Sequence, residues 1–290
     1  MTPAAPSPDA SSPLLGRLER YYDTVPRAAA RVEEFGSLTL FVREGPGWPY
    51  YARPALRPDA PPPSVEDVRH VVARQRELGL PEAFEWVAQT TPGMRKAVEA
   101  AGLRVSEHPL MARDASAPLP APHPLVRVLD AQDPFLAGAL ALGHVAFAHP
   151  GTAVGAAGAA ELTAEVTARA ADGSLPGYQD RIRSGRLVLA AAVEDGVVLS
   201  SGMHMPVGDV TEIAGVGTLP VARRRGLGLA VTAALVASGG STVFLSAGDD
   251  DVARIYARLG FRPVGTAMIA APSSPSDPSS PSGSSSPSGD

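Results

Sequence analysis

Residues 211–235, TEIAGVGTLPVARRRGLGLAVTAAL, constrain the fold more than any other stretch of the chain. The alternation up to Leu219 predicts a strand, Pro220 ends it, and an apolar run beginning near Leu227 predicts a helix. Between them stand Arg223, Arg224, Arg225, Gly226, Leu227, Gly228 and Leu229. The two glycines remove side chains where the backbone must turn tightly, and a helix that starts there offers unpaired amides and the positive end of its dipole. Such an arrangement binds anions, and adjacent arginines add charge-assisted contacts to a pyrophosphate or ribose phosphate. A glycine turn beside a solvated basic face fits the same residues. Gly226 and Gly228 are too few for the dinucleotide pattern G-x-G-x-x-G, and no G-K-[ST] follows for a phosphate loop.

The surrounding pattern predicts an α/β fold. In the second half, VRVLDA opens a strand, residues 134–148 and 159–171 read as alanine-rich helices, and three hairpin-like strands follow at 186–193, 197–205 and 211–219. A helix over 226–238, a strand over 241–246, a helix over 250–259 and a strand over 263–269 complete it. In the first half, residues 14–34 predict a helix, and 38–42 and 50–52 predict strands around a GPGWP turn. Ser64 and Asp67 resemble a capping box opening a helix that Gly79 stops. Strand, helix and strand then follow at 83–88, 92–101 and 103–111.

Three Pro-rich stretches divide the chain. Residues 1–13 and 271–290 have little to bury and are expected to be disordered, while ASAPLPAPHP at 115–124 reads as a linker between domains at 14–114 and 125–270. The expected architecture is a mixed central sheet flanked by helices, in two tandem domains. FEWVAQTTPGMRKAVEAAGLRVSEHPLMA, residues 84–112, also aligns as strand, helix, Gly-apolar stop and strand with VFLSAGDDDVARIYARLGFRPVGTAMIA, residues 243–270. Val98 stands in the place of Tyr256, and no glycine-arginine loop precedes the helix beginning at Ser64. If the halves are related, the first has lost the chemistry.

Composition removes several function classes. A formal charge of −5 gives no electrostatic footprint for wrapping a nucleic-acid backbone. The absence of cysteine removes disulfides, thiolate metal sites and a cysteine nucleophile. The six histidines show no metal-ligand spacing within a helix, so no metal is expected. His204 fits either an acceptor cleft or a satisfied strand histidine. The first residues carry neither a basic n-region nor an apolar core, and no membrane-length apolar run occurs, so a soluble cytoplasmic protein is expected.

R-x-x-G-x-G after a strand ending in Pro220, followed by DDDVARIYARLGF at 249–261, resembles the paired signature of the GCN5-related N-acetyltransferases. The likeness covers roughly 126–269, with specific motifs only from 211 onward. It implies acetyl-CoA as co-substrate, with Arg223 to Leu229 wrapping the pyrophosphate. The preceding strand would splay from its neighbour, and Val216, Gly217 and Thr218 would line the pantetheine arm. Family members commonly carry Asn at the position of Asp250, which is a departure here. Val252, Ile255, Tyr256 and Leu259 fall on one helix face, so Tyr256 reads as a core aromatic. The resemblance makes it the tyrosine that protonates the departing CoA thiolate.

Related enzymes often draw a general base from the strand that carries Glu212, although alternation alone equally makes it a solvent-facing charge. An ordinary carboxylate is a poor direct acceptor from an ammonium, so Glu212 would act through an ordered water or by favouring the neutral amine's approach. The implied function is transfer of acetyl from acetyl-CoA to an amine of a small molecule or peptide, by a catalytic second half beside a degenerate first half. A homodimer is compatible with it. The competing reading is a non-catalytic acyl-CoA-binding sensor or interaction module.

Overall fold

The computed structural model describes residues 8–45 and 47–272. In chain order the elements are α1 (Pro8–Arg27), β1 (Ala30–Phe35), β2 (Leu38–Arg43), β3 (Ala52–Pro54), α2 (Val65–Glu77), β4 (Phe84–Val87), α3 (Met94–Ala100) and β5 (Arg104–Arg113). Then come β6 (Val126–Leu129), α4 (Leu136–Phe147), α5 (Ala159–Ala170), α6 (Leu175–Arg183), β7 (Val188–Glu194), β8 (Val197–Val207) and β9 (Val210–Thr218). A 3-10 turn (Pro220–Ala222), α7 (Leu227–Ala237), β10 (Thr242–Ser246), α8 (Asp250–Ala257) and β11 (Phe261–Ala271) close the chain. Residues 1–7 and 273–290, where the disordered ends are expected, lie outside the described residues.

Local chemistry accounts for several boundaries. Ser64 caps α2 by accepting from the Asp67 amide at 3.1 Å, while the Asp67 carboxylate takes the Ser37 amide and hydroxyl instead of reaching back to the cap. Asp249 caps α8 through the Val252 amide at 2.8 Å, and Asp250 and Asp251 fall in its first turn, where the dipole favours acids. Asp195 and Gly196, both at positive φ, form the tight β7–β8 turn. Two local expectations need correction. The first helix starts at Pro8, inside the stretch expected to be disordered, and ends at Arg27, not Glu34. Antiparallel pairing with β2, from Ala30↔Arg43 to Phe35↔Leu38, overrides the helical propensity of the alanines. α6, with Pro176 in its first turn and Tyr178 buried, was not read from the sequence.

All strands join one eleven-stranded mixed sheet, ordered β1-β2-β3-β4-β11-β5-β10-β9-β8-β7-β6. Two strands are exchanged. β11, from the end of the chain, sits beside β4, and β5, from the first half, sits beside β10. They pair with each other antiparallel from Phe261↔Arg113 to Ala271↔Arg104. The two strand-helix-strand repeats therefore place their last strands against one another, and the cores follow. Met111 packs into the cluster of the second half, whereas Met268 and Ala270 pack into that of the first. A third cluster joins Leu15, Leu18, Tyr21 and Tyr22 of α1 to Val87, Leu110 and Phe244. Parting the halves at 115–124 would cost each a strand. Among the described residues no helix is long and apolar enough to cross a membrane.

Candidate active site

β9 and β10 run parallel through only Thr242↔Val210, Val243↔Thr211 and Phe244↔Glu212. Beyond Glu212 they part, although β9 continues to Thr218 and β10 to Ser246. On the other side of β9, the register with β8 shifts between Ser201↔Gly217 and Met203↔Ala214, setting Gly215 and Val216 opposite Gly202 alone. Gly215 adopts φ +63°, and a Cβ on Gly202 would lie 2.9 Å from Val216 Cγ2, so both glycines serve this bulge. The β10-facing edge of β9 over 213–218 thus presents peptide groups without a strand partner.

The splay expected from the motif is therefore present, and packing engages the residues along it. A Cβ on Gly217 would meet Ala146 Cβ at 2.8 Å and Leu142 Cδ2 at 3.1 Å, so α4 packing demands that glycine. The Thr218 hydroxyl lies 3.0 Å from Ser200 Oγ, and Val216 packs partly against the core.

The strand leads through the 3-10 turn to the arginine-glycine loop. Gly226 stands at the N-cap of α7 in the left-handed region, φ +77°, with no side-chain cap. The first intrahelical bond runs from the Ala230 amide to the Gly226 carbonyl at 3.0 Å. The amides of Leu227, Gly228 and Leu229 are left free of the helix ladder. Gly228 lets this end approach β9, since a Cβ there would lie 3.3 Å from Thr218 Oγ1. Leu227 is buried and Leu229 packs against the core, so both offer amides to an anion and side chains to the interior.

The three arginines differ. Arg223, for which the motif implies a phosphate contact, donates to the carbonyls of Ala146 (3.1 Å), Ala153 (3.2 Å), His149 and Thr218. It clasps the segment after α4 against the end of β9. Arg225 forms a two-point pair with Glu194, at 2.8 and 2.7 Å. Arg224, at φ +66°, is exposed and has no ion pair among the described residues. Arg223→Ala should destabilise the fold by about 1–3 kcal/mol through the abandoned carbonyls. Urea unfolding measures this, and weakened CoA binding at unchanged stability would instead restore the phosphate role.

Tyr256 lies on α8, partly buried against the main core, its ring 6.1 Å edge-on from Phe261. Its hydroxyl makes no hydrogen bond among the described residues, and burial pushes the phenol up to about 12.

Glu212 lines a cavity of about 320 Å³ walled by both halves, with Tyr21, Tyr22, Tyr51 and Glu85 from the first and Met205 and Ser246 from the second. It is half-buried, and the surface it keeps opens into this cavity. Tyr22 donates its hydroxyl to Glu212 Oε1 at 2.9 Å, and Tyr21 donates to the Met205 carbonyl at 2.7 Å. Desolvation pushes the Glu212 carboxyl up to about 8, opposed by the Tyr22 bond and by Arg53, and reinforced by Glu85. Tyr256 does not line this cavity.

Residues 203–268 match the family described as FR47-like protein. Among solved structures, a GCN5-related N-acetyltransferase from Kribbella flavida is similar with a TM-score of 0.61 at 22% identity, over 90% of this chain and 96% of that one. The chain has the GCN5-related N-acetyltransferase fold. A GCN5-related N-acetyltransferase-like protein from Streptococcus suis 89/1591 (TM-score 0.52, 11% identity) is covered over 99% of its length by 90% of this chain. A GCN5-related N-acetyltransferase from Sphaerobacter thermophilus (TM-score 0.51, 16% identity) is covered over 93% by 92%. No curated protein sequence matches the chain.

Within this N-acetyltransferase fold the family match is confined to the second half, and the first half supplies the cavity residues that sequence reasoning missed. Tyr22 and Tyr51 carry no motif. Glu85 left a usable signal: it is a charge between Phe84 and Trp86 in a strand whose neighbours are buried. His204 is a satisfied core histidine, its Nδ1 at 2.8 Å from Thr211 Oγ1 and its Nε2 at 3.1 Å from Ser238 Oγ. Desolvation pushes it down to about 4.

Proposed function

We propose that the second half transfers acetyl from acetyl-CoA to an amine of a small molecule or peptide, and that the first half is a degenerate copy walling the acceptor cavity. The observation that carries this reading is the parting of β9 from β10 just beyond Glu212, along an edge that ends at the uncapped N-terminus of α7. The free peptide edge over 213–218 suits the amides of the pantetheine arm. The α7 amides and Arg224 suit the diphosphate.

Glu212 takes a proton from the acceptor ammonium, freeing a lone pair to attack the thioester carbonyl. An ordinary glutamate lies about 6 pKa units below an alkylammonium, a gap of about 8 kcal/mol. With its carboxyl near 8, the gap shrinks to about 2 units, or 3 kcal/mol, so Glu212 can act without an intervening water. As the tetrahedral intermediate collapses the C–S bond breaks, Tyr256 protonates the sulfur, and the proton shed by nitrogen restores the phenol. Transfer from a phenol near 12 to a thiolate of ordinary pKa is uphill by about 5 kcal/mol. That fits inside a barrier of about 16 kcal/mol for ten turnovers per second.

Titration calorimetry with acetyl-CoA tests the donor site. Wild type should bind, Arg224→Ala should bind about tenfold more weakly, and Gly226→Pro should not bind, since proline cannot adopt φ +77°. A folded wild type that ignores millimolar CoA would sink the reading. Binding without turnover on any amine would favour the sensor.

A further inference from the structure

The cavity holds a second carboxyl that the transfer mechanism does not use. Glu85, on β4 of the first half, opens into the same space as Glu212 and has no hydrogen bond or ion pair among the described residues. The one arginine lining the cavity is committed elsewhere: Arg53 is buried and paired with Glu19, itself buried. Its Nε is buried without a hydrogen-bond partner. Arg53 eases the charge on both Glu85 and Glu212 but is itself paired with Glu19, and Arg181 acts on Tyr21 and Tyr50 without lining the cavity, so the two carboxyls keep an excess of negative charge. Charged groups touching Glu85 electrostatically are Arg53, Glu212 and, when ionised, Tyr51.

Two ionised carboxylates in so enclosed a space are costly, so protons neutralise them in part, and a bound dication can take the place of those protons. A monoamine would answer one. Tyr50, Tyr51 and Trp86 also line the cavity, an aromatic wall suited to methylenes and to ammonium groups. We infer that the acceptor is a small diamine, one nitrogen reacting beside Glu212 while the other remains an ammonium held by Glu85. This rests on the acetyltransferase reading and makes Glu85 the specificity-determining residue of the first half. A monoamine leaves Glu85 unpaired, and an amino acid brings a second carboxylate against it. The cavity volume suits an acceptor of this size.

The test uses the full chain with saturating acetyl-CoA and compares diaminobutane, shorter and longer diamines, butylamine and aminobutyrate. The best diamine should exceed butylamine in kcat/KM by about 10- to 100-fold, the range for one added charge-assisted contact. Aminobutyrate should fall below butylamine. In Glu85→Gln the diamine preference should collapse to within about threefold, and Glu85→Asp should keep part of it. Because burial holds the Glu85 carboxyl near 7, diamine binding near neutrality should also release protons, read by calorimetry in buffers of different ionisation enthalpy. A loss of folding in a variant moves neither the wild-type ratio nor its proton release. Equal kcat/KM for butylamine and every diamine, or an unchanged ratio in folded Glu85→Gln, would overturn the inference. If no amine is acetylated at all, the transfer reading falls. Calorimetry with diaminobutane and butylamine then still decides the dication site, which stands only if the diamine binds more tightly and Glu85→Gln abolishes the difference.

Discussion

Glu212→Gln should lower kcat/KM by about 10²- to 10⁴-fold, the contribution of a positioned general base, and should erase the activity rise that the wild type shows as pH passes through about 8. The sign follows from the carboxyl itself. Desolvation raises it from 4.5 to about 8, so the base-competent, ionised form accumulates only at the alkaline end. Stability runs the opposite way. A raised carboxyl contributes stability that is fully present below its unfolded pKa and is lost as pH rises through its folded value. The wild-type melting temperature should therefore fall from about pH 5 to pH 8, and Glu212→Gln should flatten most of that fall. Glu85, near 7, contributes a smaller loss of the same sign. His204, depressed to about 4, acts at the acid end, where its stabilising contribution disappears as pH drops from its unfolded value through the folded one. A pH profile of kcat/KM without the alkaline rise, or a glutamine variant within tenfold of wild type, would remove Glu212 from proton transfer.

Tyr256→Phe should lower kcat by about 10²- to 10⁴-fold while leaving acetyl-CoA affinity almost unchanged. The substitution deletes only a hydroxyl that has no protein partner among the described residues, and it keeps the ring in contact with Phe261 and the core. Melting temperature should hardly move. Single-turnover kinetics with saturating acetyl-CoA measures the chemical step directly, and an unaltered rate there would leave Tyr256 as a core aromatic.

How much of this was legible depends on the range over which each feature is decided. The Ser64 cap and the glycine turn at Gly226 act within a few residues, and each was readable from residue type and spacing. Glu212 and Tyr256 were legible as candidates through a family pattern, yet their environments were not. Strand alternation cannot say whether Glu212 meets water or a cavity. Nor could the arginine run say which guanidinium is taken up by the fold: Arg223, first of the motif, turned to four carbonyls, because the end of α4 and the segment after it came within its reach.

The amino-acid sequence by itself determined most of the order of strands and helices, β1 and α6 excepted, the glycine-arginine turn at a helix start, and the shared strand-helix-strand pattern of residues 84–112 and 243–270. Periodicity and turn chemistry are properties of neighbouring residues, so they survive in a linear string. Only the tertiary structure decided that β5 and β11 change places, that Tyr22 and Glu85 of the first half face Glu212 of the second, and that the carboxyl there titrates near 8. Those outcomes come from contacts between segments more than a hundred residues apart and from the water such contacts exclude, neither of which any local pattern encodes.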